Sequence, residues 1–215
     1  MQHTTNGYEY TYIDGDYEHH HAYLLPPVLE LISQTITNPT QKLRVLDLGC
    51  GSGRFSQQIA QAGHDVVGVE NSTSGIMLAR QNIPECKFIE ASIYNLPDAE
   101  LDKEFDIVIA AEVIEHLFYP RELLISAKKC LKPQGHIILT TPFHGYWKNL
   151  AMALLGKMDQ HLNPLWDGGH IKFFSVATLT NLLEEEGFTD INFKFAGRVP
   201  YFWKSVLCSA ALEKN

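Results

Sequence analysis

The chain has 215 residues and a formal charge of −8, from 17 Lys+Arg against 25 Asp+Glu. That length suits one ordinary domain over 1–215, and a content of 45% hydrophobic and 20% charged residues suits a normal buried core. An extended nucleic-acid partner is disfavoured, because phosphate-binding surfaces are basic and the longest basic cluster is Lys128-Lys129.

No apolar run approaches the ~18 residues of a membrane span. Residues 1–23 lack both a basic n-region and an apolar h-region, so no secretory signal is expected. Cys50, Cys86, Cys130 and Cys208 are scattered and form no CxxC pair, which argues against a zinc knuckle and suits a reducing cytoplasm.

Residues 1–38 read as an N-terminal arm and a helix starting around Leu24-Leu25-Pro26-Pro27. His19-His20-His21 precede that helix; three adjacent histidines cannot all face one ion, and one of them, with Tyr17, is expected to reach the ligand pocket. Strand-like runs follow at 43–48, 65–70, 86–90, 105–111, 135–141, 187–195 and 203–212, with amphipathic stretches between most of them. Pro120 opens the clearest helix, which places Leu123, Leu124, Ala127, Cys130 and Leu131 on one face. Another helix runs from Ser175, as N-cap, to Gly187, just past its end. Its Glu184-Glu185-Glu186 run sits at the negative end of the helix dipole and reads as a solvated face.

The alternation predicts an α/β, doubly wound, mostly parallel seven-stranded sheet. Too few residues separate the last two strands for a helical crossover, so they form a C-terminal antiparallel hairpin. Residues 142–174 break the alternation and read as a cap insertion. Within it, 146–155 has the pattern of a short amphipathic helix, and Tyr146, Trp147 and Trp166 are candidates to wall a flat substrate.

The most informative segment is Val45-Leu46-Asp47-Leu48-Gly49-Cys50-Gly51-Ser52-Gly53. A buried strand runs into glycines that allow tight turning and close ligand approach, and a helix N-terminus then offers free N–H groups. Arg54 stands where a dinucleotide fingerprint needs its last glycine, and the Gly-Lys-Ser/Thr ending of a P-loop is missing. The segment resembles the first motif of class I S-adenosylmethionine-dependent methyltransferases, and the resemblance covers residues 43–141. It implies that Gly49 and Gly51 flank the methionine part of S-adenosylmethionine and that Asp47 supports its amino group. Glu70 lies 21 residues past Gly49, at the spacing where a carboxylate meets ribose hydroxyls, and Asn71 follows it. Ser92 and Ile93, after the third strand, are placed at the adenine ring, and Ala111 closes the fourth strand beside the cofactor.

After the fourth strand comes Glu112-Val113-Ile114-Glu115-His116. Carboxylates and an imidazole at i, i+3 and i+4 can converge on one side of a helical turn, and such a donor set suits Mg²⁺ or Mn²⁺. This E-x-x-E-H segment is similar to that of ubiquinone-biosynthesis O-methyltransferases and of small-RNA 3′-terminal 2′-O-methyltransferases. In the latter a further histidine completes a metal site, and Gly169-His170-Ile171-Lys172-Phe173 looks like that element. Glu112, Glu115, His116 and His170 are thus a candidate metal set, with pocket lining without a metal as the alternative. His116 and His144 are the candidate catalytic bases. These readings imply methyl transfer to a small-molecule acceptor, a hydroxyl oxygen first. The alternatives are 2′-O-methylation of an RNA terminus and a non-catalytic cofactor-binding scaffold.

Overall fold

A computed structural model describes residues 8–13, 21–35, 41–97, 101 and 104–213 of the protein. Seven strands form one sheet: β1 (Arg44–Leu48), β2 (Asp65–Glu70), β3 (Lys87–Glu90), β4 (Phe105–Ala111), β5 (Leu131–Pro142), β6 (Phe188–Ala196) and β7 (Ser205–Leu212). Their order is β3-β2-β1-β4-β5-β7-β6. The first five pair in parallel, while β7 is antiparallel to both β5 and β6. The expected sheet and its terminal hairpin are both present. β5 starts earlier than its apolar run, because Leu131 pairs with Phe105 before an irregularity brings His136 opposite Ile107. Leu131 therefore begins a strand instead of ending the preceding helix.

Five helices sit between strands or at their ends: α1 (His21–Gln34), α2 (Arg54–Gln61), α3 (Thr73–Asn82), α4 (Pro120–Cys130) and, later, α7 (Val176–Glu185); α5 (Tyr146–Leu154) and α6 (Met158–His161) lie in the insertion. In α1, Leu24, Val28, Leu31 and Ile32 recur at helical spacing and are buried in one apolar cluster with Val45, Ile107 and Leu207. That burial holds the helix together across Pro26 and Pro27, which lie inside it and remove two backbone donors. A second, larger cluster joins Leu46, Val108, Leu123, Leu124, Leu179 and Leu183. α7 begins with a capping box in which Ser175 and Thr178 exchange side-chain and backbone bonds.

The acidic run at the end of α7 is not a free solvated face. Lys128 Nζ lies 2.8 Å from Glu186, and Arg121 pairs with both Glu185 and Glu186. These bridges tie α4 to α7 and offset the unfavourable dipole position of the glutamates.

Candidate active site

β1, β2, β3 and β4 are parallel, so their C-terminal ends share one sheet edge. The strand order reverses between β1 and β4, which opens a crevice there. The chain leaves β1 through Gly49, Gly51 and Gly53 with φ of +81°, +54° and +79°, a region other residues rarely adopt. A Cβ at Gly49 would stand 2.6 Å from Val113 Cγ2, and one at Gly51 would stand 2.9 Å from the Tyr12 hydroxyl. The loop thus requires glycine both for its turn and for close approach.

Glu70 is 9% exposed, and its carboxylate accepts hydrogen bonds from the backbone N–H of Gly51 (3.0 Å), Asn71 (2.8 Å) and Ser72 (2.8 Å). It bolts the glycine loop to the end of β2, a task the spacing argument did not foresee. Asp47 is buried and accepts from Ser56 Oγ at 2.5 Å; burial raises its carboxyl to a pKa of about 6. A cationic amino group nearby would restore its charged form. Asn71 is exposed, with only its backbone engaged by Glu70. Ser92 Oγ accepts from Tyr94 N at 3.3 Å, and Ile93 belongs to the large buried cluster. Ala111 lies half-buried at the β4 end, opposite Thr140.

The segment after β4 does not form the expected helical turn from Glu112 to His116. Glu112 has φ +55°, and only Ile114–His116 forms a short 3-10 turn. Thr140 Oγ1 donates to Glu112 Oε1 at 2.8 Å. Glu112 is not among the side chains whose ligand atoms converge most closely. Glu115, His116 and His170 do come together, with one ligand atom each lying within 4.8 Å of the others. The backbone explains His170: Ile171 N and Lys172 N donate to Glu115 O at 2.9 and 3.0 Å, which clips the end of the insertion to the 3-10 turn.

Glu115 is fully buried, and neither carboxylate oxygen has a hydrogen-bond partner among the described residues. Thr141 Oγ1 is near enough to favour the charge, yet it makes no bond of normal geometry. Burial and then the charge of Glu112 push the Glu115 carboxyl well above the usual range. His170 Nε2 lies 3.9 Å from Glu115 Oε1, and burial lowers the His170 pKa to about 4. His116 Nδ1 lies 2.9 Å from Gly168 O. A carbonyl can only accept, so Nδ1 carries the proton and Nε2 keeps its lone pair. His144 is outside this cluster, in ring contact with His161 (5.3 Å) and Phe173 (5.0 Å). Burial, followed by His161, lowers its pKa to about 4, leaving it neutral but weakly basic.

The insertion meets the site through Trp166, whose ring contacts His116 (5.9 Å) and His170 (5.1 Å). Tyr146 and Trp147 are 73% and 58% exposed and touch each other. Tyr17, His19 and His20 lie outside the described residues, as does the His21 side chain.

The arm nonetheless crosses the site with residues that sequence reasoning missed. Ser72 Oγ donates to Tyr10 O at 2.5 Å, and Tyr12 N donates to Ser74 Oγ at 2.9 Å. The Tyr10 hydroxyl lies 2.8 Å from His116 Nδ1 and donates to Gly168 O. One segment therefore joins the glycine loop, the 3-10 turn and the insertion. Its signal was the alternation Tyr8-Glu9-Tyr10-Thr11-Tyr12, which places the three rings on one face of an extended chain.

Sheet order, glycine loop and the acidic end of β2 together define a class I S-adenosylmethionine-dependent methyltransferase. Residues 17–192 match the methyltransferase domain family. A ubiquinone biosynthesis O-methyltransferase of Cereibacter sphaeroides is 31% identical over 181 residues, spanning 82% of this chain and 72% of that protein. Its namesake in Dinoroseobacter shibae is 34% identical over 163 residues, 73% of this chain and 64% of that protein. The solved magnesium protoporphyrin IX methyltransferase of Synechocystis, with bound S-adenosylhomocysteine, matches at TM-score 0.65 and 21% identity, covering 88% of this chain and 82% of that one. That likeness shows the fold. The chain belongs to the methyltransferase domain family, and it is an S-adenosylmethionine-dependent enzyme.

Proposed function

We propose that the enzyme methylates a hydroxyl oxygen of a small molecule, with a divalent cation held by Glu115, His116 and His170. The observation that carries the cation is the fully buried Glu115 carboxylate, whose two oxygens have no hydrogen-bond partner among the described residues. A buried carboxylate in that state demands a proton or a cation, and two imidazoles stand within 4.8 Å to share one. The two ubiquinone-biosynthesis relatives are O-methyltransferases by name, which supports oxygen as the acceptor atom.

S-adenosylmethionine supplies an electrophilic methyl on a sulfonium sulfur. Gly49 and Gly51 give its methionine part room, Asp47 takes its ammonium, and Glu70 keeps the loop in register while facing the ribose. Asn71, Ser92, Ile93 and Ala111 complete the nucleoside side. A divalent cation, Mg²⁺ or Mn²⁺, would lower the pKa of the acceptor hydroxyl and fix its direction. The Gly168 carbonyl sets the His116 tautomer so that its lone pair points away from the arm's hydrogen bond. We assign deprotonation of the acceptor to this cluster; His144 is too weakly basic for that task and lines the acceptor side.

The four cysteines are all free, which supports a reducing cytoplasm, with 1–215 acting as one domain. Among the described residues, no helix is long and apolar enough to cross a membrane.

The test is methyl transfer from labelled S-adenosylmethionine to a panel of hydroxylated aromatic metabolites. We expect label on oxygen, turnover abolished by a chelator, and S-adenosylhomocysteine affinity unchanged by it. Glu115→Gln should copy the chelator without rescue by added magnesium. Label on nitrogen or carbon would overturn the acceptor. Turnover that ignores both chelation and Glu115→Gln would overturn the cation.

A further inference from the structure

Residues 8–13 cross the site as a strap without regular secondary structure. Tyr10 and Tyr12 are half-buried, while Glu9, Thr11 and Ile13 between and beside them are exposed. One part of the strap is held on the cofactor side. Tyr12 N donates to Ser74 Oγ at 2.9 Å, Ser72 Oγ donates to Tyr10 O, and a Cβ at Gly75 would stand 3.0 Å from the Tyr12 ring. The Ser72 N–H donates to Glu70, which also accepts from Gly51 N, so the strap hangs from the turn that fixes the glycine loop.

The acceptor-side cluster holds the other part. The Tyr10 hydroxyl donates to Gly168 O, and its oxygen accepts from the protonated Nδ1 of His116 at 2.8 Å. A Cβ at Gly168, where φ is +73°, would collide with the Tyr8 ring, which meets the Tyr10 ring edge-on with centroids 5.1 Å apart. Gly168 leads directly into the segment whose Ile171 and Lys172 N–H groups donate to Glu115 O. Tyr10 thus spans the start of α3, the 3-10 turn and the end of the insertion. The two sides also meet where Val113 packs on Gly49.

We propose that the strap couples the two sides, so that the acceptor site is fully assembled only when S-adenosylmethionine is bound. The cofactor fixes the glycine loop and the start of α3, these hold the strap, and Tyr10 then holds His116 and residues 168–172 in place. Tyr10 is a positioning residue that acts through His116 and Gly168. A strap with no hydrogen-bonded ladder of its own is ordered only by its anchors, and a ligand that orders one anchor lowers the cost of ordering the other. Such coupling is reciprocal: an acceptor seated against His116 slows departure of the cofactor. This rests on the reading of Glu115, His116 and His170 as the acceptor-side cluster.

The experiment measures residue-resolved amide hydrogen exchange in the whole chain, with and without saturating S-adenosylhomocysteine. In the wild type the ligand should slow exchange of the Gly51 and Ser72 N–H groups. It should also slow Ile171 and Lys172 by about fivefold or more, the lower end of coupling between distinct sites. Tyr10→Phe keeps the ring and removes the hydroxyl; Ser74→Ala changes the opposite anchor and leaves Tyr10 intact. Both keep the contact of Val113 with Gly49. In each, the ligand should still protect Gly51 and Ser72 but lose its effect on Ile171 and Lys172. Wild-type exchange at Ile171 and Lys172 that ignores the ligand overturns the proposal, as does a ligand effect there that survives in both variants. A Tyr10 of purely structural role would speed exchange equally with and without ligand, which also overturns it. Absence of protection at Gly51 and Ser72 would instead overturn the placement of the cofactor. Whether the cluster serves the acceptor is decided separately by the methyl-transfer assay of Glu115→Gln above.

Discussion

Asp47 shows how one buried carboxylate links stability to binding. Its pKa in the folded chain is about 6, against an ordinary 3.8, because burial penalises the charge more than Ser56 relieves it. Above pH 6 both folded and unfolded chains hold Asp47 ionised, so the folded state bears the whole penalty, roughly 3 kcal/mol. As the pH falls towards 3.8 the folded state takes up the proton first and the penalty disappears. Asp47→Asn should therefore be more stable than the wild type at pH 7, with the difference closing near pH 4. Urea unfolding at the two pH values checks this; an equal advantage at both would contradict it. The same variant should bind S-adenosylhomocysteine more weakly, since the amide cannot pair with an ammonium. Glu70 has the opposite character. Three backbone N–H groups hold its carboxylate, so its replacement would loosen the glycine loop as well as any ribose contact.

At the scale of elements, the arm at 8–13 is the part whose role depends most on its surroundings. It has no regular secondary structure, yet its backbone bonds to the start of α3 and its tyrosines reach both Gly51 and His116. Burial and the neighbouring Glu115 raise the Tyr10 pKa to about 12, so the hydroxyl keeps its proton and can donate. Tyr10→Phe removes the bond to Gly168 O and the contact with His116 Nδ1 while retaining the ring. We expect weaker S-adenosylhomocysteine retention, seen as a faster off-rate in stopped flow, with a melting temperature close to that of the wild type. An unchanged off-rate would show that the arm does not secure the cofactor. The helices proper are simpler. The apolar spacing of α4 and the capping residues of α7 were readable because both are local, whereas the bridges from Arg121 and Lys128 to the α7 glutamates join residues 58 to 65 positions apart.

For the whole molecule, ligand binding and folding are one equilibrium. S-adenosylhomocysteine at ~100 times its Kd should add about 2.7 kcal/mol of stability, and NAD should add none, because Arg54 replaces the glycine a dinucleotide loop requires. Thermal unfolding with each ligand distinguishes the two; stabilisation by NAD alone would mean that the glycine loop had been misread.

The strands, their order of appearance, the glycine loop and the closing hairpin were legible in the sequence because each depends on local patterning: apolar runs, turn residues and the length of connections. Asp47, Gly49, Gly51 and Glu70 could be placed at one sheet edge on the same grounds, since parallel strands put their C-terminal ends together. What only the tertiary structure decided are matters of direction and of distance across the chain. Spacing placed Glu112 with Glu115 on one helical turn, but Glu112 has a positive φ and one of its oxygens accepts from Thr140, 28 residues further on. Resemblance, not spacing, put His170 with Glu115 in the sequence reading; the two backbone hydrogen bonds that bring the end of the insertion to Glu115 appear only in the fold. Lys148 carried no signal as an isolated lysine in an amphipathic stretch; that it is buried, with its ammonium donating to the Phe143 carbonyl, emerges only in the fold. Periodicity reports which face of an element is apolar, whereas the pairing of buried charge is settled only when distant elements pack.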